Sequence, residues 1–296
     1  MSYAQSGDVR LYYEETGTGY PIVFVHEFAS DVREWETQVR WFSRDYRCIT
    51  FNARGYPPSD VPERDDAYGY TYSADDIAAV MRHLGIAKAH IVGLSMGAYA
   101  TLQFGIRHGS MASALVASSC GSGSHAAQRA DFQKGTAALA QMFLDQGSAA
   151  VARAMGVSPT RIQLLLKDPR SWSDFVRNMG EHSNKGSAYT MRNYQMKRPP
   201  LTDFTDQFSK LTVPTLIVAG DEDEPCLESS LFLKRTIPTA GLWICPRTGH
   251  AVNLEEPAEF NRQLNMFFSS VERGKWGPRD PRAMGHAILG DPDRKA

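Results

Sequence analysis

The most constraining stretch of the chain is Gly93-Leu94-Ser95-Met96-Gly97, which lies between an apolar run ending His90-Ile91-Val92 and a segment, AYATLQFGIRH, with helical spacing. A G-x-S-x-G pattern at a strand-to-helix junction forces the serine into a sharp, strained turn. Side chains two before and two after it would collide with the flanking backbone, so both are glycine. The hydroxyl then stands above the carboxyl end of a strand and at a helix N-terminus, where free N–H groups and the dipole favour developing negative charge. Taken alone, the pattern also serves an ordinary βα turn in which Ser95 only caps the helix. The surrounding sequence decides between the two.

Short β-branched or aromatic runs recur at Ile22 to Val25, Cys48 to Phe51, His90 to Val92, Leu115 to Ala117, Thr215 to Ala219 and Leu242 to Cys245. Strands buried on both faces of a parallel sheet read this way. Helical patterns lie between them, including Trp35 to Phe42 and Ser73 to Leu84, the latter with Ser73 as the expected N-cap. The expected fold class is α/β, a doubly wound and mostly parallel central sheet with helices on both faces. Alternation stops near Gly121, and Ala127 to Leu144, Pro159 to Leu166 and Trp172 to Met179 read as successive helices. The expected organisation is therefore a core of residues 1–120 and 209–272, a helical cap inserted at 121–208, and a tail at 273–296. Its Gly, Pro and charge content predicts a flexible or surface-draped segment.

With 296 residues, 42% of them hydrophobic, the chain has the material for a full core. Its 32 basic and 33 acidic side chains leave a net charge of −1, which supplies no basic footprint for nucleic acid or an anionic membrane. The four scattered cysteines form no C-x-x-C pair or metal-ligand cluster. No signal-like leader and no apolar run of about 18 residues is visible. These features predict a cytoplasmic protein with reduced thiols, no metal, no cofactor, and a small-molecule partner.

Four separated motifs extend the reading. They are Val25-His26-Glu27-Phe28, Asn52-Ala53-Arg54-Gly55-Tyr56, the Ser95 pentapeptide, and Gly220-Asp221-Glu222-Asp223 together with Gly249-His250. In that order they resemble the α/β-hydrolase fold superfamily, in particular its serine esterase and lipase-like members with a helical cap, over roughly Val9 to Phe268. A serine hydroxyl is a weak nucleophile at neutral pH and needs an imidazole to take its proton and a carboxylate to orient that imidazole. Among eight histidines, His250 sits in a loop between the strand LWICP and NLEEP, a setting similar to the family's catalytic-histidine segment. The resemblance places the acid three residues after the glycine that closes the preceding strand, at Asp223, with Asp221 as the competitor in the same acidic run. It also assigns the two backbone N–H donors of an oxyanion hole to Phe28 and Met96.

Glu27 departs from the family's usual His-Gly. It either pairs with a basic group such as Arg54 and braces its loop, or lies close to the acyl pocket; the ion pair is the simpler reading. In the expected cap, Met142, Phe143, Trp172 and Tyr194 suit an apolar pocket, with His125 as a further residue able to touch substrate. Ser95 in place of aspartate argues against dehalogenase or epoxide hydrolase chemistry. The resemblance then implies hydrolysis of small to medium, apolar or aromatic carboxylic esters through an acyl-enzyme. Lactone, C–C or perhydrolytic chemistry on the same triad, and a ligand-binding member of the fold, are the alternatives.

Overall fold

The computed structural model describes residues 1–284 and 288–289. Among them a single eight-stranded sheet runs in the order β1-β2-β4-β3-β5-β6-β7-β8. Its strands are β1 (Ser2–Ser6), β2 (Val9–Thr16), β3 (Tyr20–Val25), β4 (Tyr46–Phe51), β5 (Ala89–Leu94), β6 (Ala112–Ser118), β7 (Thr215–Gly220) and β8 (Ala240–Cys245). The six runs read from the sequence are β3 to β8, all mutually parallel. β1 and β2 add an antiparallel hairpin at one edge that the run-based reading did not register. Its signal is alternation: Val9 and Leu11 are buried while Arg10 between them is exposed, as expected of a strand that buries one face only.

Successive residues of a strand point to opposite faces, and this splits the core in two. Val23 and Val25 join Ile91, Ala98 and Leu102 on one face, whereas Ile22 and Phe24 join Trp35, Phe42, Phe260 and Phe268 on the other. The first face is covered by α2 (Tyr70–His83) and α3 (Met96–His108), the second by α1 (Glu36–Phe42) and the C-terminal helix Pro257–Glu272. Helix α2 begins a turn earlier than Ser73 predicted, after Gly69. The Ser73 hydroxyl therefore lies inside the helix and donates to Tyr70 O, so it is not the N-cap.

Between β6 and β7 the chain inserts α4 (Ala126–Gln146), α5 (Ser148–Gly156), a 3-10 turn at Pro159–Arg161, α6 (Ile162–Lys167), α7 (Pro169–Gly180), α8 (Asn184–Tyr189), a π-helix at Thr190–Gln195 and α9 (Thr205–Ser209). This is the helical insertion expected from the loss of alternation. After β7 come α10 (Glu224–Thr236), α11 (Val252–Glu255) and α12, the helix Pro257–Glu272. Beyond it, the Trp276 ring stands edge-on to Phe267 and its Nε1–H donates to Thr239 O, while Arg279 donates to the carbonyl of Ile237. Residues 285–287 and 290–296 of the expected tail lie outside the described residues.

Candidate active site

The strand order reverses about β3 and β5, and in a doubly wound sheet the crevice outside the carboxyl ends at such a point is where ligands bind. Ser95 stands there, after β5 and before α3, with φ 54° and ψ −108°, a left-handed backbone that a residue with a side chain rarely adopts. The need for glycine on both sides is measurable. A Cβ on Gly93 would lie 2.2 Å from Gly97 O, and one on Gly97 would lie 2.0 Å from Val25 O. The Ser95 N–H donates to Ser118 O at 2.8 Å, tying the turn to β6.

Asp223 and His250 come from the loops after β7 and β8 and meet across a gap of 27 positions: His250 Nδ1–H donates to Asp223 Oδ2 at 2.8 Å. Both are buried. This bond leaves Nε2 as the free face of the imidazole. Burial works against a charged His250, but the charge and hydrogen bond of Asp223 outweigh it and hold the imidazole above its ordinary value. Burial likewise opposes the ionised Asp223, and the nearby His250 still holds that carboxyl below its usual range. The competing carboxylate, Asp221, is exposed and accepts from Thr248 N–H. Among the described residues Ser95 Oγ has no hydrogen-bond partner, and the nearest charged atom recorded at His250 Nε2 is Glu27 Oε2, 3.8 Å away. Nucleophile-to-base bonds often tighten only once substrate is bound.

The loop after β3 is braced by buried polar contacts. His26 Nδ1–H donates to Glu27 O at 2.6 Å, and its Nε2 accepts from Ala53 N–H at 3.0 Å. Burial lowers its pKa to about 4, so the ring is neutral and its tautomer is set by those two bonds. Tyr56 donates to Phe28 O at 2.8 Å, and Glu34 accepts the Glu27 N–H at 3.0 Å. The N–H groups of Phe28 and Met96 have no partner among the described residues.

Glu27 does not pair with Arg54. That guanidinium is taken by Asp76 on α2 at 2.7 Å. Glu27 instead binds Arg161 of the insertion, both carboxylate oxygens lying 2.5 Å from Nη2. Each side chain is 3% exposed or less. Arg161 escaped the sequence reading because nothing local marks it; it reaches the site only through the fold of the insertion.

The remaining pocket candidates divide. Phe143 is fully buried, edge-on to Phe28 with ring centroids 5.8 Å apart, and Met142 is partly buried against the same core. Tyr194, on the π-helix, donates to Met96 O at 3.0 Å and so ties the insertion to the elbow. Trp172 donates to Gly156 O within the insertion, and His125 is exposed before α4. The structure does not bring His125 to the site, because that segment faces solvent.

One potential ligand atom from each of Asp223, Cys226 and His250 lies within 4.8 Å of the others. Burial and the nearby Asp223 carboxylate push the Cys226 thiol well above its ordinary value. Asp223 already occupies His250 Nδ1. The chemistry this arrangement suits is proton transfer.

Sequence comparison agrees with the geometry. Residues 22–263 match the model of the alpha/beta hydrolase family, and the chain belongs to that family. Within it, the chain is 26% identical to a putative non-heme chloroperoxidase of Synechocystis sp. over 88% of its own length and 96% of the relative's. It is 24% identical to 2-hydroxy-6-oxononadienedioate/2-hydroxy-6-oxononatrienedioate hydrolase of Comamonas testosteroni, covering 86% of this chain and 89% of that one. Among solved structures, a thermophilic esterase from Thermogutta terrifontis shares the fold at TM-score 0.80 and 23% identity, over 90% and 97% of the two chains. No helix among the described residues is long and apolar enough to cross a membrane.

Proposed function

We propose that this hydrolase cleaves carboxylic esters of small to medium, apolar or aromatic substrates through an acyl-enzyme on Ser95. The observation that carries the reading is the buried His250–Asp223 hydrogen bond at 2.8 Å, set over the crevice in which Ser95 is held at positive φ. In this mechanism His250 Nε2 takes the Ser95 proton as Oγ attacks the ester carbonyl, and Asp223 holds the tautomer and stabilises the imidazolium. The N–H groups of Phe28 and Met96 receive the oxyanion. Imidazolium then protonates the leaving alcohol, and the same imidazole activates water to release the acid. Phe143 beside Phe28, with Met142, supports an apolar acyl group.

The names of the relatives keep a second chemistry in view, since one is named a hydrolase of 2-hydroxy-6-oxononadienedioate, a dienoic diketone substrate class, and another a putative non-heme chloroperoxidase. A fluorophosphonate probe should label wild type and leave S95A unlabelled; a folded wild type that resists labelling overturns the reading. Turnover of p-nitrophenyl acyl esters against a dienoic diketone and a lactone separates the substrate classes. Strong preference for the diketone displaces esters from first place.

A further inference from the structure

The Glu27–Arg161 pair is buried in a way that matters to its neighbour. Arg161 Nε and Nη1 are buried with no hydrogen-bond partner among the described residues, and the guanidinium lies over the Phe175 ring at 4.8 Å. Glu34 packs against the same pair: it accepts the Glu27 N–H, and burial together with the Glu27 charge holds its carboxyl well above the ordinary value, so the two charges of the pair act from a buried setting on whatever is close. Closest on one side is the imidazole: Glu27 Oε2 lies 3.8 Å from His250 Nε2, and the residue before Arg161, Thr160, accepts the main-chain N–H of His250 through its carbonyl.

We propose that Glu27 and Arg161 are positioning residues for the base, a charge-balanced pair whose two members act in opposite senses on the proton that His250 must take and return. This rests on the reading of His250 as the base. The anion comes from the loop that carries the oxyanion donor Phe28, and the cation from the inserted helices, so the insertion supplies one of the charges that tune the core's proton carrier. A glutamate in place of the family's usual glycine then has a purpose beyond bracing. The other groups facing the pair and the imidazole are common to every variant below: Glu34 on the Glu27 N–H, Asp223 on Nδ1, Cys226 beside it, Glu255 accepting the Gly249 and Ala251 N–H groups, and Lys167 and Asp221 on Thr248.

The sign pattern is the test. E27Q leaves the guanidinium, which cannot deprotonate, alone beside the imidazole; the His250 midpoint should fall by about one pH unit or more. R161Q leaves the carboxylate and should raise the midpoint, while E27Q/R161Q should return within about half a unit of wild type. The midpoint is read twice, from the acid limb of kcat/KM on p-nitrophenyl acetate and from the NMR titration of the His250 imidazole, with melting curves to establish folding. Shifts of the same sign in both single variants, no shift in either, or a double variant displaced as far as a single one would overturn the pairing. If one single variant does not fold, the other with the double decides. Because the NMR midpoint needs no turnover, it tests the pair even if wild type proves inert toward esters, an outcome that would count against the esterase reading alone.

Discussion

The hydroxyl of Tyr194 donates to the main-chain carbonyl of Met96 at 3.0 Å and accepts from Ser73 Oγ at 3.1 Å. One side chain of the insertion is thereby tied both to the residue after Ser95 and to helix α2. Tyr194 is buried, and its ring also lies edge-on to Tyr99, one turn along α3. The insertion is thus more than a cover: through Tyr194 it holds the residue that follows Ser95.

Removing that hydroxyl in Y194F takes one hydrogen bond from the buried Met96 carbonyl, while the Ser73 hydroxyl keeps the Tyr70 carbonyl. The expected cost is about 1 kcal/mol of stability, read from denaturant unfolding. With the Met96 peptide less firmly held, kcat should fall more than KM rises, because a donor aimed at the oxyanion acts on the transition state. A KM change at constant kcat would instead make Tyr194 a substrate contact.

Asp223 matters because it selects which imidazole nitrogen carries the proton. D223N preserves shape but favours the wrong tautomer, and kcat should drop by about 10^3- to 10^4-fold with binding little altered. In wild type, the raised proton affinity of His250 predicts an acid limb of kcat/KM with its midpoint above about 6.5, the ordinary histidine value. A midpoint below that value would mean that burial, rather than Asp223, dominates.

His26 should govern part of the acid sensitivity of the fold. Its pKa is lowered to about 4 by burial, so between about pH 6.5 and 4 the unfolded chain binds a proton that the folded one refuses. Stability from this group is present above the unfolded value and is lost as pH falls through that window, by about 3 kcal/mol. H26Q should flatten the difference in unfolding free energy between pH 7 and 4. An unchanged slope would show that other groups, such as the buried His90, carry it.

Much of the architecture was legible because it is written locally. β3 to β7 are largely buried on both faces and the edge strand β8 is half-buried, so each appears as a short apolar run, and the elbow announces itself by two glycines that backbone contacts of 2.2 Å and 2.0 Å make obligatory. The β1–β2 hairpin was harder to see because its Val9 and Leu11 alternate with exposed residues and form no run. Ser73 resembles a cap because Ser side chains bond to nearby backbone both at a helix start and inside it, and here it binds the carbonyl of Tyr70, the first residue of a helix that Ser73 lies within.

What the sequence by itself determined is the strand-turn-helix at Ser95 and the parallel sheet that displays it, since both follow from residue spacing and backbone sterics within a few positions. What only the tertiary structure decided is the company each charge keeps. Arg54 was the near candidate for Glu27, yet Asp76 claims it, and the partner comes from Arg161, 134 positions away in the insertion. Ion pairing depends on distance and burial in space, and spacing along the chain carries neither once a helical segment folds back over the sheet.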